Sequence, residues 1–292
     1  MSGKLKGTVF VLICVSLWAL IPVVAKLGQT TLDNHQFLFW SSLVSFLILG
    51  VISTLAGTIG EIARYETKDW AFILFLGLLG TYIYYLFLYL GYARATGIEV
   101  LVFQYTWPIL IVAFSLFILK EKLTIRKTFA LVLGILGVVT VLTKGQFQEI
   151  NVSKPQVIAL VAAGASCFAL FSVLSKKVQK EAYSVVVVYF FAALVASFFS
   201  MHYFSDFAVP SRSEWISVLL NGLLVNGISY IFWVVALKST EASYLAPFTF
   251  ITPILSAIYL VLFFSEPFIA PYAVGLTCII IGGLINSLGG RK

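Results

Sequence analysis

Three tyrosines, Tyr82, Tyr85 and Tyr89, recur at spacings of three and four residues, which places side chains on one face of a helix. Tyr230 and Trp233, three apart, make a similar face later in the chain. Trp18, Trp107 and Phe168 lie deep within other apolar runs. A ring with a polar tip in an apolar setting seeks a hydrogen-bond partner, so these faces suit the wall of a cavity for a small amphipathic molecule. Helix packing explains any single one of them equally well. Gln104, Asn226, Thr249 and Thr252 are the polar residues near the middle of such runs. They could grip an amine or a carboxylate, and a hydrogen bond to a neighbouring helix is the competing role. Apart from Glu214, at the edge of a run, Glu99 is the one acid inside a run. That makes it the candidate for ion coupling, with an ion pair to Arg94 as the alternative.

Little else in the chain offers chemistry. No His, Cys and Asp cluster has metal-ligand spacing, no glycine-rich loop has phosphate-binding form, and no Gly-x-Ser-x-Gly elbow occurs. Neither an enzyme, a cofactor nor a metal is expected. Cys14, Cys167 and Cys278 sit in apolar segments and read as small hydrophobes rather than a disulfide framework.

The elements that hold these residues follow from composition. Of 292 residues, 61% are hydrophobic and 11% charged, against about 25% charged in a soluble domain. Ten runs are long and apolar enough to cross a bilayer: 7–27, 36–57, 70–91, 98–119, 127–143, 156–175, 184–203, 214–236, 243–264 and 271–288. A spanning helix needs roughly 20 such residues, and the runs lack the alternation of barrel strands. The expected class is an all-α integral membrane protein of ten transmembrane helices.

Charge orients the spans. With the N-terminus inside, Lys26, Arg94, Lys144, Lys154 and Arg212 fall outside, and the remaining lysines and arginines fall inside. Positive charge concentrates on the cytoplasmic side of membrane proteins, so both termini are expected in the cytoplasm, at the inner membrane of a cell. The net charge of +7 then follows from orientation, and no nucleic-acid partner is expected.

The two halves repeat. Tyr105-Thr-Trp-Pro108-Ile-Leu110 aligns with Phe250-Ile-Thr-Pro253-Ile-Leu255, and the same offset carries Glu121 onto Glu266, Gly137 onto Gly282, Gly77 onto Gly222 and Tyr85 onto Tyr230. The segment around Trp18 similarly matches the one around Phe168. Five spans per half is an odd number, so the second copy enters the membrane from the opposite side. The expected units are 1–145 and 153–292. Inverted repeats and matched helix breaks, here at Pro108 and Pro253, point to a midplane substrate site.

Tandem five-span repeats, a Trp in span 1 and Lys120-Glu-Lys-Leu-Thr124 after span 4 resemble the EamA type of the drug/metabolite transporter superfamily. In the second half the last motif appears only as Ser265-Glu-Pro-Phe268. Leu90-Gly-Tyr-Ala93, Ile98-Glu-Val100 and Tyr105-Thr-Trp-Pro-Ile-Leu110 are similar to the aromatic amino-acid exporter branch. The resemblance implies a carrier that exports small metabolites, amino acids including aromatic ones, by alternating access. Other small amines, drugs or nucleoside-like metabolites remain alternative substrates. A membrane-embedded enzyme, a receptor and a channel are the rival classes. The partners implied are a small-molecule substrate and the lipid bilayer, with a homodimer left open.

Overall fold

The computed structural model describes residues 2–95, 100, 103–146, 148, 154–264 and 269–287. Glu99 and Glu266 lie outside the described residues. The described secondary structure is helical. Seven helices are long and apolar enough to cross a membrane, and three shorter apolar helices accompany them among the described residues. They are α1 (Gly3–Trp18 and Ile21–Gly28), α2 (Asn34–Leu55), α3 (Thr67–Arg94), α4 (Trp107–Ile118) and α5 (Ile125–Leu142) in the first half. The second half holds α6 (Pro155–Ser175), α7 (Ala182–Phe204), α8 (Arg212–Ser239), α9 (242–264) and α10 (Ala270–Ser287).

Several starts are set by side chains satisfying the free N–H groups of a first turn. Asp33 and Gln36 form a capping box on α2, and Ser211 with Glu214 forms one on α8. Thr124 Oγ1 accepts from the Lys127 amide at the start of α5.

Four helices are irregular. The run of α1 breaks at Ala19–Leu20, just before Pro22. Pro22 has no N–H for the Trp18 carbonyl, so the helix restarts rather than continues. Wide π turns interrupt α3 at Leu78–Ile83 and α8 at Asn221–Ile228, which are matching positions of the two halves. Helix α9 is interrupted by a 3-10 segment, Ala246–Phe250, after its first turn.

The packing is unchanged when the halves are exchanged. Helix α1 packs on α8 and α6 on α3; α4 packs on α6 and α9 on α1; α2 pairs with α7 and α5 with α10. Close approach of α5 and α10 rests on glycine. A Cβ on Gly137 would stand 2.7 Å from the Gly275 carbonyl oxygen, and one on Gly275 would stand 2.7 Å from that of Gly137. Small residues let membrane helices meet backbone to backbone, where lipid supplies no hydrophobic drive. The exchanged contact is present too: a Cβ on Gly282 would lie 3.2 Å from the Ala130 carbonyl.

Candidate functional site

Six of the aromatic candidates share one cluster where the halves meet. Trp18 of α1 stands 6.1 Å from Trp107, 5.6 Å from Phe168, 5.9 Å from Tyr230 and 5.3 Å from Trp233, centroid to centroid. Trp107 closes the group at 5.1 Å from Phe168 and 6.0 Å from Trp233, and Tyr85 reaches Tyr230 at 6.4 Å. Most contacts are edge-to-face or tilted, the geometry that ring quadrupoles favour. All six side chains are buried.

Tyr84 belongs to the same cluster. It packs 4.7 Å from Phe168 and 4.9 Å from Tyr85. Tyr82, placed by spacing on the Tyr85 face, is instead only half-buried at the edge of the core. The physical reason is the π turn, whose wider winding shifts the phase of α3 over Leu78–Ile83. Regular helical spacing therefore fails across that segment, and Tyr84 and Tyr85 both turn inward.

Beside the rings lies a small cavity of about 20 Å³, lined by Trp18, Tyr84, Gln104, Tyr105, Trp107 and Thr252 among others. That is room for about one water. Gln104 is held in place: its Nε2 donates to the Tyr84 hydroxyl at 2.8 Å, and its Oε1 accepts from Tyr92 at 3.3 Å. Tyr84, Tyr92 and Gln104 thus form one polar strip on α3 and the segment before α4.

Two candidates carry buried polar atoms with no hydrogen-bond partner among the described residues, Trp18 Nε1 and both amide atoms of Asn226, while the Thr252 hydroxyl lies beside that of Tyr105 on the cavity wall. Such atoms are uncommon, because each costs about 1–3 kcal/mol. Asn226 sits in the π turn of α8, one turn before Tyr230. It is fully buried but is not among the cavity's lining residues. Thr249 turns back to its own helix, donating to the Ala246 carbonyl at 2.6 Å.

The prolines lie elsewhere in their helices than mid-span kinks would. The break before α4 is at Tyr105–Thr106, and Pro108 occupies the first turn after it. Pro253 likewise follows the 3-10 segment, in the first turn of Ile251–Phe264. A first turn has no partner for the missing N–H in any case, so proline restarts the helix without losing a bond.

Polar latches at the ends of the bundle tie the halves together, and spacing alone did not reveal them. Glu214, fully buried, accepts from Thr30 Oγ1 at 3.1 Å, Thr31 N at 2.8 Å, Leu32 N at 3.1 Å and Ser211 Oγ at 2.7 Å. It thereby fastens the α1–α2 connection to the start of α8. Its repeat mate Asp69 fastens the α6–α7 connection to the start of α3, pairing with Lys180 at 2.8 Å. Glu121 caps α9, accepting from Ala242 N and Ser243 N, both at 2.9 Å. Lys127 bridges Glu241 and Ser243 Oγ, both at 2.6 Å. The Lys-Glu-Lys-Leu-Thr stretch is therefore a strap between the first half and the start of α9. Its chemistry was readable as a motif; its target was not.

Comparison with known proteins agrees with this architecture. The model of the EamA-like transporter family matches the chain twice, over residues 5–143 and 156–288. The chain belongs to the EamA-like transporter family and is a multi-pass membrane protein. It is 26% identical over 284 residues to a protein of Ancylobacter novellus named aromatic amino acid exporter YddG, covering 89% of this chain and 96% of that one. A Salmonella typhimurium protein of the same name is 25% identical over 217 residues, covering 70% of this chain and 72% of that one. An uncharacterized transporter of Bacillus subtilis, YetK, is 26% identical over 237 residues, covering 77% and 70%. A crystal structure with 21% identity superposes at a TM-score of 0.85 over 99% of both chains, which shows a shared fold.

Proposed function

We propose that this transporter is a carrier that exports small amphipathic metabolites, amino acids including aromatic ones, by alternating access. The observation that carries this reading is the closed aromatic cluster between the halves, with unpaired polar atoms beside it. Its six rings come from α1, α3, α4, α6 and α8, and Thr252 adds α9. A flat side chain can slot among Trp18, Trp107, Phe168 and Trp233. The Trp18 N–H, the Thr252 hydroxyl and Gln104 can meet a zwitterionic head. Two names among similar proteins, both aromatic amino acid exporter, support the substrate class.

The same cavity supports a carrier over a channel. Small-molecule sites usually offer about 300–1,000 Å³, far more than the space present. Substrate enters only if the halves move apart, and an occluded centre is the midpoint of such a cycle. The reading takes all ten apolar helices as spans, both ends as cytoplasmic, and 1–145 and 153–292 as inverted five-helix units at the cell membrane. The latches then fall on opposite faces: Glu214 outside, Asp69 and Glu121 inside. Breaking one face at a time exposes the site alternately. The described cavity lining carries no carboxylate, so substrate runs down its own gradient with little proton coupling; any coupling runs through Glu99.

Counterflow of labelled aromatic amino acids in proteoliposomes tests the reading. Saturable uptake against preloaded unlabelled substrate is expected, little changed by an imposed pH gradient. Linear, non-saturating flux would make the protein a channel. Strong pH-driven accumulation that survives in Glu99→Gln would overturn the coupling assignment.

A further inference from the structure

A second cavity, of about 490 Å³, lies away from the aromatic cluster, where α5 begins and α10 ends. Its wall includes Lys4, Lys122, Arg126, Lys127, Glu241 and Asn286. Lys127 is neutralised by Glu241 at 2.6 Å, and Asn286 is engaged with the Tyr244 carbonyl at 2.7 Å. Lys4, Lys122 and Arg126 make no ion pair among the described residues. Lys4 merely lies over the Tyr244 ring, 5.5 Å from its centroid. Three uncompensated cations around one cavity repel each other, and an anion placed among them relieves that repulsion.

What lies beside the cavity narrows the anion. From Ile125, itself part of the wall, a stripe of exposed apolar residues descends α5: Ile125 at 77% exposure, then Phe129, Val132 and Leu136. Spacings of four, three and four put them on one face. A free phosphate has no use for such a stripe, whereas a phospholipid needs a basic seat and an apolar run at right angles to the membrane surface. Basic pockets between helices on the cytoplasmic side suit anionic headgroups, and positive-inside orientation puts this cavity there.

We propose that this cavity seats the phosphate headgroup of an anionic phospholipid, with an acyl chain along the Ile125–Leu136 face of α5. The lipid would hold the Lys122–Lys127 strap, and with it the inner latch on α9. The proposal rests on the span arrangement given above and not on the substrate assignment.

The test is native mass spectrometry of the purified full chain with phosphatidylglycerol and phosphatidylcholine at equal concentration. Wild type is expected to retain phosphatidylglycerol preferentially. The exposed pair Lys122→Gln/Arg126→Gln should lower that preference by up to roughly thirtyfold, each charge being worth about a fivefold change at a membrane surface. Arg64→Gln/Lys68→Gln, on the same side, should leave it unchanged. Equal retention of both lipids by wild type, or an equal loss in the two double variants, would overturn the site. In a parallel thermal-shift arm, stabilisation by inorganic phosphate matching that by phosphatidylglycerol would overturn the lipid as occupant. Because the readout is bound mass, counterflow can fail while the lipid preference stands, and the reverse.

Discussion

Replacing Trp18 by phenylalanine separates a ligand-binding indole from a packing one, because the two roles move stability and affinity differently. Trp18 touches four rings, yet its Nε1 has no partner among the described residues. Removing an unpaired buried N–H relieves about 1–3 kcal/mol. The smaller ring loses about 1 kcal/mol of burial and leaves roughly 40 Å³ of space, about 1 kcal/mol more at 24 cal/mol per Å³ of cavity. The two effects cancel to within about 1 kcal/mol, so the melting temperature of the unliganded protein should move by no more than about 4 °C. If the N–H donates to a substrate carboxylate, its loss removes about 1.5–3 kcal/mol of binding, which is a Kd roughly 10- to 150-fold weaker. Trp233→Phe is the internal contrast. Its Nε1 already donates to Ser172 Oγ at 3.1 Å, so the same change loses a bond on top of the packing loss and should lower stability by about 3 kcal/mol. The assay pairs thermal unfolding in detergent with scintillation-proximity binding of labelled phenylalanine. A Trp18→Phe protein with less than a threefold change in Kd, or one that melts far below wild type, would refute the reasoning and make Trp18 a packing element.

The latches should differ in weight. Glu214→Gln turns one acceptor oxygen of a fully buried, multiply bonded carboxylate into a donor, and should cost about 3 kcal/mol in thermal unfolding. Asp69→Asn breaks a partly exposed pair with Lys180 and should cost under about 1 kcal/mol; comparable losses would show that the Glu214 bonds carry no special weight. Gly137→Val forces a side chain against the Gly275 carbonyl and should destabilise by about 1–3 kcal/mol, with unchanged melting contradicting the close α5–α10 contact. Accessibility tags at Lys4, Gln179 and Lys292 should report the cytoplasm and tags at Gln148 and Asp206 the outside; a cytoplasmic Gln148 breaks the ten-span reading.

The membrane class and the apolar helices were legible in the sequence because both follow from one-dimensional quantities. Long unbroken runs such as 184–203 have no other stable home than lipid or a buried helix, and offsets between similar segments need no coordinates. The ring cluster was partly legible for the same reason. Trp18, Tyr85, Phe168, Tyr230 and Trp233 are deep in their runs and repeat-related or helically spaced, and depth survives folding. Where winding departs from 3.6 residues per turn, spacing misleads: the π turn at Leu78–Ile83 exchanges Tyr82 for Tyr84, and no residue pattern marks such a turn beyond the paired Gly77 and Gly222. The prolines told of a break but not its place, since a proline opens a helix more cheaply than it bends one. Tertiary structure alone decided what Glu214 and Glu121 hold. Their partners, Thr30 to Leu32 and Ala242 to Ser243, are more than a hundred residues away, and half of the bonds run to backbone N–H groups, which every residue but proline owns and which therefore leave no mark in a sequence.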